Sequence, residues 1–139
     1  MIKHTGNNEG KAFGLYIHIP FCKSKCLYCD FNSYAGREML IEPYFNALMK
    51  EIEIYAGSLE GCLIKTVFIG GGTPSFGDAS YISDLLNACR RNFNLQKDAE
   101  ISIEANPGTL SRKKLELYMK AGINRLSIGL QAWQNKILK

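Results

Sequence analysis

The sequence lacks the long apolar runs that mark membrane-spanning or secretory segments. None of its apolar stretches approaches the roughly 18 residues that a membrane helix needs. The polar lead, residues 1–13, lacks the apolar core of a secretory signal. A net charge of +4 arises from basic residues that are spread along the chain, and this distribution does not favour nucleic acid as a partner. These absences predict a cytoplasmic protein with no membrane span.

A disulfide framework is also excluded by the number and spacing of the cysteines. There are 5 cysteines, of which Cys22, Cys26 and Cys29 lie close together, whereas Cys62 and Cys89 stand apart among apolar neighbours. In a reducing compartment, closely spaced thiols are more often metal ligands or redox groups. We therefore interpret Cys62 and Cys89 as small buried hydrophobes, and the other cysteines as a chemical site.

Short strand-like runs alternate with longer helical patterns along the chain. The expected strands are residues 14–19, 66–70, 100–106 and 125–130, and the expected helices are residues 41–55, 79–93 and 111–121. This alternation predicts an α/β fold with right-handed parallel crossovers. A complete (β/α) barrel needs about 250 residues, so we expect a partial barrel of about four βα units. Residues 14–139 then form an incomplete core domain, and a fourth helix begins within 133–138.

Polar side chains recur at alternate positions of three expected strands. Because alternate side chains of a strand share a face, each of these strands has one apolar and one polar face. A shared polar face is more typical of a barrel lumen than of a doubly wound sheet. The polar positions are Tyr16 and His18; Glu100, Ser102, Glu104 and Asn106; and Arg125, Ser127, Gly129 and Gln131.

The cysteine loop directly follows the first expected strand, where α/β proteins place their sites. The spacing Cys-x3-Cys-x2-Cys supplies ligands for three irons of a cubane and leaves the fourth iron open. Two alternatives remain. Zinc is possible if His18, His4 or a distant cysteine completes its ligands, and Cys26 and Cys29 have the spacing of a disulfide-exchange pair.

A glycine run follows the second expected strand, in the segment Gly70-Gly71-Gly72-Thr73-Pro74. Glycine lets the backbone approach a ligand closely. The run is not a phosphate-binding P-loop, since no Gly-Lys-Ser/Thr follows it. It forms either a ligand-binding loop or a tight strand-to-helix turn.

Four motifs together resemble the radical S-adenosylmethionine (SAM) superfamily, and within it the oxygen-independent coproporphyrinogen III oxidase group. They are Tyr-x-His-x-Pro-Phe-Cys from Tyr16, Gly-Gly-Gly-Thr-Pro from Gly70, Ser-x-Glu-x-x-Pro from Ser102, and Ser-x-Gly-x-Gln from Ser127. The resemblance implies a four-iron, four-sulfur (4Fe-4S) cluster on Cys22, Cys26 and Cys29, and an electron donor protein. It also implies SAM contacts at Tyr16, Tyr28, Gly71, Gly72, Thr73, Glu104 and Gln131.

Phe31 departs from the oxidase pattern. The decarboxylating oxidases have a fourth cysteine at this position, and the segment Cys29-Asp30-Phe31 instead resembles the heme-chaperone branch of the group. That branch implies heme or porphyrin as a further ligand, and a heme-acceptor protein as a partner. The alternative function is the oxidative decarboxylation of coproporphyrinogen III in porphyrin biosynthesis, so enzymatic activity stays an open question.

Overall fold

A four-stranded parallel sheet forms the frame of the protein. The structure is a computed structural model that describes residues 10–134 and 136–137. In chain order its strands and helices are β1 (Ala12–Ile19), β2 (Phe21–Cys22), β3 (Tyr34–Ala35), α1 (Ile41–Ala56), β4 (Leu63–Gly71), α2 (Ala79–Asn92), β5 (Asn94–Ala105), α3 (Arg112–Lys120) and β6 (Arg125–Ile128). The sheet has the order β1-β4-β5-β6, and β2 pairs with β3 separately.

The expected α/β alternation is confirmed, and the helices lie within a residue of their expected ends. The strands β4 and β5 begin earlier than expected, at Leu63 and Asn94. Polar residues such as Lys97 and Asp98 obscure the strand pattern at the start of β5. Both early starts precede the register shift that the β4–β5 pair has between Ile64 and Thr66. Local pairing with neighbouring strands therefore decides these bounds.

The core lies between one face of the sheet and the helices. Alternate residues of the strands, such as Ile69 and Ile103, pack against Leu85 and Leu86 of α2, and all four are 0% exposed. Burial of this apolar surface is the main stabilising contribution. The isolated Cys62 and Cys89 are buried as well, which confirms their interpretation as small hydrophobes, and burial raises the pKa of the Cys89 thiol to about 11.

Side-chain caps define the starts of α2 and α3. The Ser111 hydroxyl accepts the Lys114 N–H at 3.2 Å, as its position before α3 predicts. Asp78 caps α2 by accepting the Ser80 N–H at 2.8 Å. Gly122 follows α3 with a φ of 92°, the left-handed conformation expected of a C-cap glycine.

The opposite face of the sheet carries the polar residues. Ser102 is fully buried there, donates to Glu100 Oε1 at 2.9 Å and accepts from Arg125 Nη1 at 3.3 Å. Arg125 also lies 3.6 Å from Glu100 Oε1. The expected polar face therefore exists and is internally hydrogen-bonded.

Two expectations concern residues outside this description. The polar lead lies largely within residues 1–9, and the expected fourth helix includes Asn135 and Leu138, all outside the described residues. Both stay predictions. In the part of the chain that is described, no helix is long and apolar enough to cross a membrane.

Candidate functional site

A cavity of about 460 Å³ opens at the carboxyl ends of the sheet strands. Its walls come from the loops that follow β1, β4, β5 and β6. This volume is in the range of small-molecule sites. The cavity brings together most of the residues predicted from the sequence: Cys22, Cys26, Tyr28, Cys29, Gly71, Gly72, Thr73, Glu104 and Gln131.

The cysteine loop supplies the thiols of this cavity. Cys22 is buried, Cys29 is half-buried and Cys26 is exposed, and all are free. The Thr73 hydroxyl donates to Cys22 Sγ at 3.6 Å, so the glycine loop contacts the first thiol directly. Hydrogen bonds to sulfur are one means by which a protein tunes a cluster.

Lys25 closes the cysteine loop on itself. Its ammonium donates to the carbonyl oxygens of Phe31 at 3.1 Å and Ser33 at 3.3 Å. The side chain thereby ties the start of the loop to its end, across Cys26 and Cys29. Sequence reasoning missed this residue, since a lysine between cysteines carries no pattern of its own.

His18 anchors the same loop to β1. Nε2 lies 2.8 Å from the Asn32 carbonyl oxygen and Nδ1 lies 3.0 Å from the Tyr16 hydroxyl. A carbonyl only accepts, so Nε2 donates to Asn32 O, while Nδ1 bonds the Tyr16 hydroxyl. Both ring nitrogens are therefore occupied, and His18 is not free to complete a zinc site.

The donor set of the cavity is three free thiols, which fits a cluster with one open iron. A tetrahedral zinc ion needs its ligands gathered around one point. Within residues 10–134 and 136–137, no three His, Cys, Asp or Glu side chains are gathered in this way.

The glycine loop lies directly against the cysteine loop. Gly72 N–H donates to Ile19 O at 2.9 Å and Thr73 N–H donates to Phe21 O at 2.8 Å. A Cβ on Gly72 would lie 2.8 Å from Cys22 Sγ. Gly71 has a φ of 122°, which side chains rarely adopt. These contacts, rather than a turn requirement alone, explain why glycine occupies both positions.

Glu104 places its carboxylate beside the glycine loop. Its Oε2 accepts the Gly71 N–H at 3.2 Å. A Cβ on Gly70 would lie 2.9 Å from the same oxygen, so the missing side chain makes room for this carboxylate. Glu104 therefore lines the cavity at the end of β5, as its strand position predicts.

Gln131 and Tyr28 meet across the mouth of the cavity. The Tyr28 hydroxyl donates to Gln131 Oε1 at 2.8 Å. Gln131 has a φ of 65°, the only positive value at a non-glycine residue in the described ranges, and such strain is concentrated at functional sites. Hydrogen bonding to the Cys26 side chain, and then the Cys26 charge, raise the pKa of Tyr28.

Tyr16 is the predicted contact that the structure does not bring to the cavity lining. It lies on the lumen face of β1, where its ring stacks on Phe68 at 6.1 Å. Partial burial, and then the negative charge of Glu104, raise the pKa of Tyr16. Its hydroxyl bonds His18, and its role at SAM stays a prediction.

The turn after β5 contributes a wall that the sequence-based list omitted. Asn106, Gly108 and Thr109 line the cavity. The Asn106 side chain accepts the Gly108 N–H at 2.9 Å and so begins the turn. The segment Asn-Pro-Gly-Thr directly after a strand is a turn signature, and this signal was available in the sequence.

The fold and the cavity together define an incomplete parallel βα barrel with a three-cysteine site at the strand carboxyl ends. Residues 16–139 match the family model of the radical SAM superfamily. The chain belongs to this superfamily. As a class, the superfamily implies a 4Fe-4S cluster and SAM.

Relatives in two functional groups resemble the chain. It is 44% identical over 126 residues to the heme chaperone HemW of Escherichia coli K12, covering 90% of this chain and 33% of the relative. Against HemW of Bacillus subtilis 168 it is 39% identical over 125 residues, covering 89% and 33%. The solved structure of coproporphyrinogen III oxidase (HemN) from Escherichia coli, a radical SAM enzyme, has a TM-score of 0.86 and 35% identity, covering 94% and 30%. The chain thus spans about a third of these relatives.

Proposed function

We propose that this chain is the cluster- and SAM-binding part of a radical-SAM-type heme chaperone. The observation that carries the proposal is a single cavity in which free thiols, a glycine loop and Phe31 lie together. Phe31 stands where the resembling oxidases have a fourth cysteine. The greater identity to the HemW chaperones, 44% against 35% for the oxidase structure, supports the same branch.

In this proposal Cys22, Cys26 and Cys29 hold the cluster and leave one iron open toward the cavity. The backbone of Gly71, Gly72 and Thr73, which lines the cavity beside the cysteine loop, receives the methionine end of SAM. Glu104 and Gln131 offer acceptor oxygens for the ribose hydroxyls, and Tyr28 and Tyr16 complete the predicted contacts. When bound, the cluster supplies one electron to SAM, while the residues of the chain orient SAM and exclude water.

The proposed partners follow from the same branch. A protein of this kind requires an electron donor protein, heme or porphyrin as its ligand, and a heme-acceptor protein. We place these events in the cytoplasm, since thiol ligands need a reducing compartment.

The first test is anaerobic reconstitution of the chain with iron and sulfide. We expect about four irons per chain on three thiolates, SAM binding by calorimetry, and a Soret band on titration with heme. Cys26→Ala is expected to lose the iron. Cys62→Ala, which removes a thiol buried outside the cavity, is the matched control and is expected to retain it.

Three outcomes count against the proposal. Full iron content in Cys26→Ala excludes the cluster assignment, and stoichiometric zinc without SAM binding favours the structural alternative. Oxidative decarboxylation of coproporphyrinogen III, assayed by porphyrin fluorescence, would support the oxidase alternative, to which the resemblance to the HemN structure points.

A further inference from the structure

A ring of hydrogen bonds joins two walls of the cavity from behind. Asn106 N–H donates to Ser75 Oγ at 3.2 Å, and the Thr109 hydroxyl donates to Asn106 O at 2.7 Å. Because the Thr109 hydroxyl proton is used in this way, the Ser75 hydroxyl is the donor in its short hydrogen bond to Thr109 Oγ1. Each hydroxyl in this Ser75 ring donates once and accepts once, so the assignment is complete.

Ser75 is the buried member of the ring, whereas Asn106 and Thr109 line the cavity. Ser75 is 0% exposed, and buried hydrogen bonds are costly to break because the freed groups cannot reach water. Ser75 follows the glycine loop closely, and the Phe76 N–H donates to Thr73 O at 2.8 Å in the intervening turn. The ring therefore connects the glycine loop to the turn after β5.

Lys114 of α3 bonds to the segment that follows the glycine loop. Its ammonium donates to the carbonyl oxygens of Ser75 at 2.7 Å and Gly77 at 2.9 Å. Both bonds are charge-assisted because the donor is an ammonium, and the half-buried position of Lys114 partly shields them from water. Neither Ser75 nor Lys114 belongs to the cavity lining in the described part of the chain.

We propose that Ser75 and Lys114 are positioning residues for SAM, which set the separation of the two cavity walls without touching SAM or the cluster. The proposal rests on the proposed function, since it needs SAM in this cavity. Removal of either group loosens the Gly71–Thr73 backbone relative to the turn at Asn106. Affinity for SAM then falls, whereas the cysteine loop, held by Lys25 and His18, still loads its iron.

The test compares Lys114→Met and Ser75→Ala with the wild-type chain. Lys113→Met removes an exposed neighbouring charge, and Ser83→Ala removes a hydroxyl that bonds only within α2, so these are the matched controls. We expect Kd for SAM to rise roughly five- to thirtyfold in both test variants. The iron content and the rate of SAM cleavage at saturating SAM should be unchanged. Lys114→Arg should restore most of the affinity, because a guanidinium also donates to two carbonyls.

A second measurement needs neither cluster nor SAM. Hydrogen exchange of the amides of residues 71–73 and of Asn106, Gly108 and Thr109 should accelerate in Lys114→Met and not in Lys113→Met. Unchanged SAM affinity and exchange in Lys114→Met would overturn the proposal, even if Ser75→Ala fails to fold. Loss of iron together with SAM would do the same, since the effect would then lie in the cysteine loop. A wild-type chain that loads iron but binds no SAM instead refutes the proposed function, and this inference with it.

Discussion

Replacing Gly72 with alanine tests whether the glycine loop and the cysteine loop depend on close contact. The added Cβ would lie 2.8 Å from Cys22 Sγ, 2.9 Å from Phe21 O and 3.0 Å from Pro20 C. Comfortable separations begin at about 3.5 Å, so the loops must part by about 0.7 Å to relieve the contact with sulfur. The carbonyl of Phe21 is held by Thr73 N–H at 2.8 Å, and separation therefore strains this bond.

The magnitude follows from overpacking. Inserting a methyl group into a tightly packed site costs about 1–3 kcal/mol. Alanine also restricts the unfolded chain and returns about 0.4–1 kcal/mol. Gly77→Ala receives the same entropic gain without overpacking, because its Cβ would lie 3.7 Å from Ile41 Cγ2. Unfolding free energies of the two variants should therefore differ by about 1–3 kcal/mol, with Gly72→Ala the less stable.

Urea unfolding followed by circular dichroism measures the free energy, and iron per chain after anaerobic reconstitution measures the site. We expect Gly72→Ala to lose stability and to load less iron, because its strain falls on Cys22. Gly77→Ala should match the wild type in iron and equal or exceed it in stability. Equal unfolding free energies and equal iron contents for the two variants would refute the idea that Gly72 is required by contact.

Three further changes test other parts of the structure. Asp78→Ala should lower the unfolding free energy by about 1 kcal/mol at neutral pH, through loss of the cap on Ser80 N–H, whereas Asp78→Asn should not. The Ser80 backbone hydrogen bond lowers the pKa of Asp78 below its ordinary 3.8, so the charge-dependent part of this stabilisation is complete above that value and is lost as the pH falls through the lower folded pKa; a deficit in Asp78→Ala that does not shrink at all in acid would contradict it. Tyr118→Phe should raise the melting temperature slightly, since the buried hydroxyl has no partner among the described residues. Burial raises the pKa of Tyr118 to about 12 from 10.0, so the wild type should lose stability relative to Tyr118→Phe as the pH rises above 10.0, and a lower melting temperature for the variant would argue against an unpartnered hydroxyl. Lys25→Met should reduce iron loading by opening the cysteine loop, and an equal loss in Lys23→Met would indicate a general charge effect instead.

Sequence patterns predicted the elements because the core imposes them locally. The apolar positions of α1 and α2 follow the helical period, and the alternation along β5 separates buried Ile103 from Glu104. These patterns also placed the cysteine loop, the glycine loop and Glu104 at strand ends. The start of β5 at Asn94 did not follow from pattern, because there the pairing with β4 outweighs a polar local sequence.

Contacts between distant segments could not be predicted in the same way. Lys25 and Lys114 each bond to two backbone carbonyls, and a carbonyl has no sequence signature. Tyr16 is a residue whose motif was recognised but whose hydrogen bond to His18 was not predicted. Its motif predicted a SAM contact, which stays a prediction, and strand geometry sets its hydroxyl 3.0 Å from His18 Nδ1.

The strand register explains why motifs far apart in the chain form one site. Ile19 of β1 pairs with Gly71 of β4, and Ala105 of β5 pairs with Ile128 of β6. The sheet strands therefore end at nearly the same level, and the loops that leave them meet there whatever the lengths of the intervening helices. A shift of one residue in any strand would turn its functional side chain to the other face. Changes in helix length leave this geometry intact, which is why the spacing within each motif carries information and the spacing between motifs carries little.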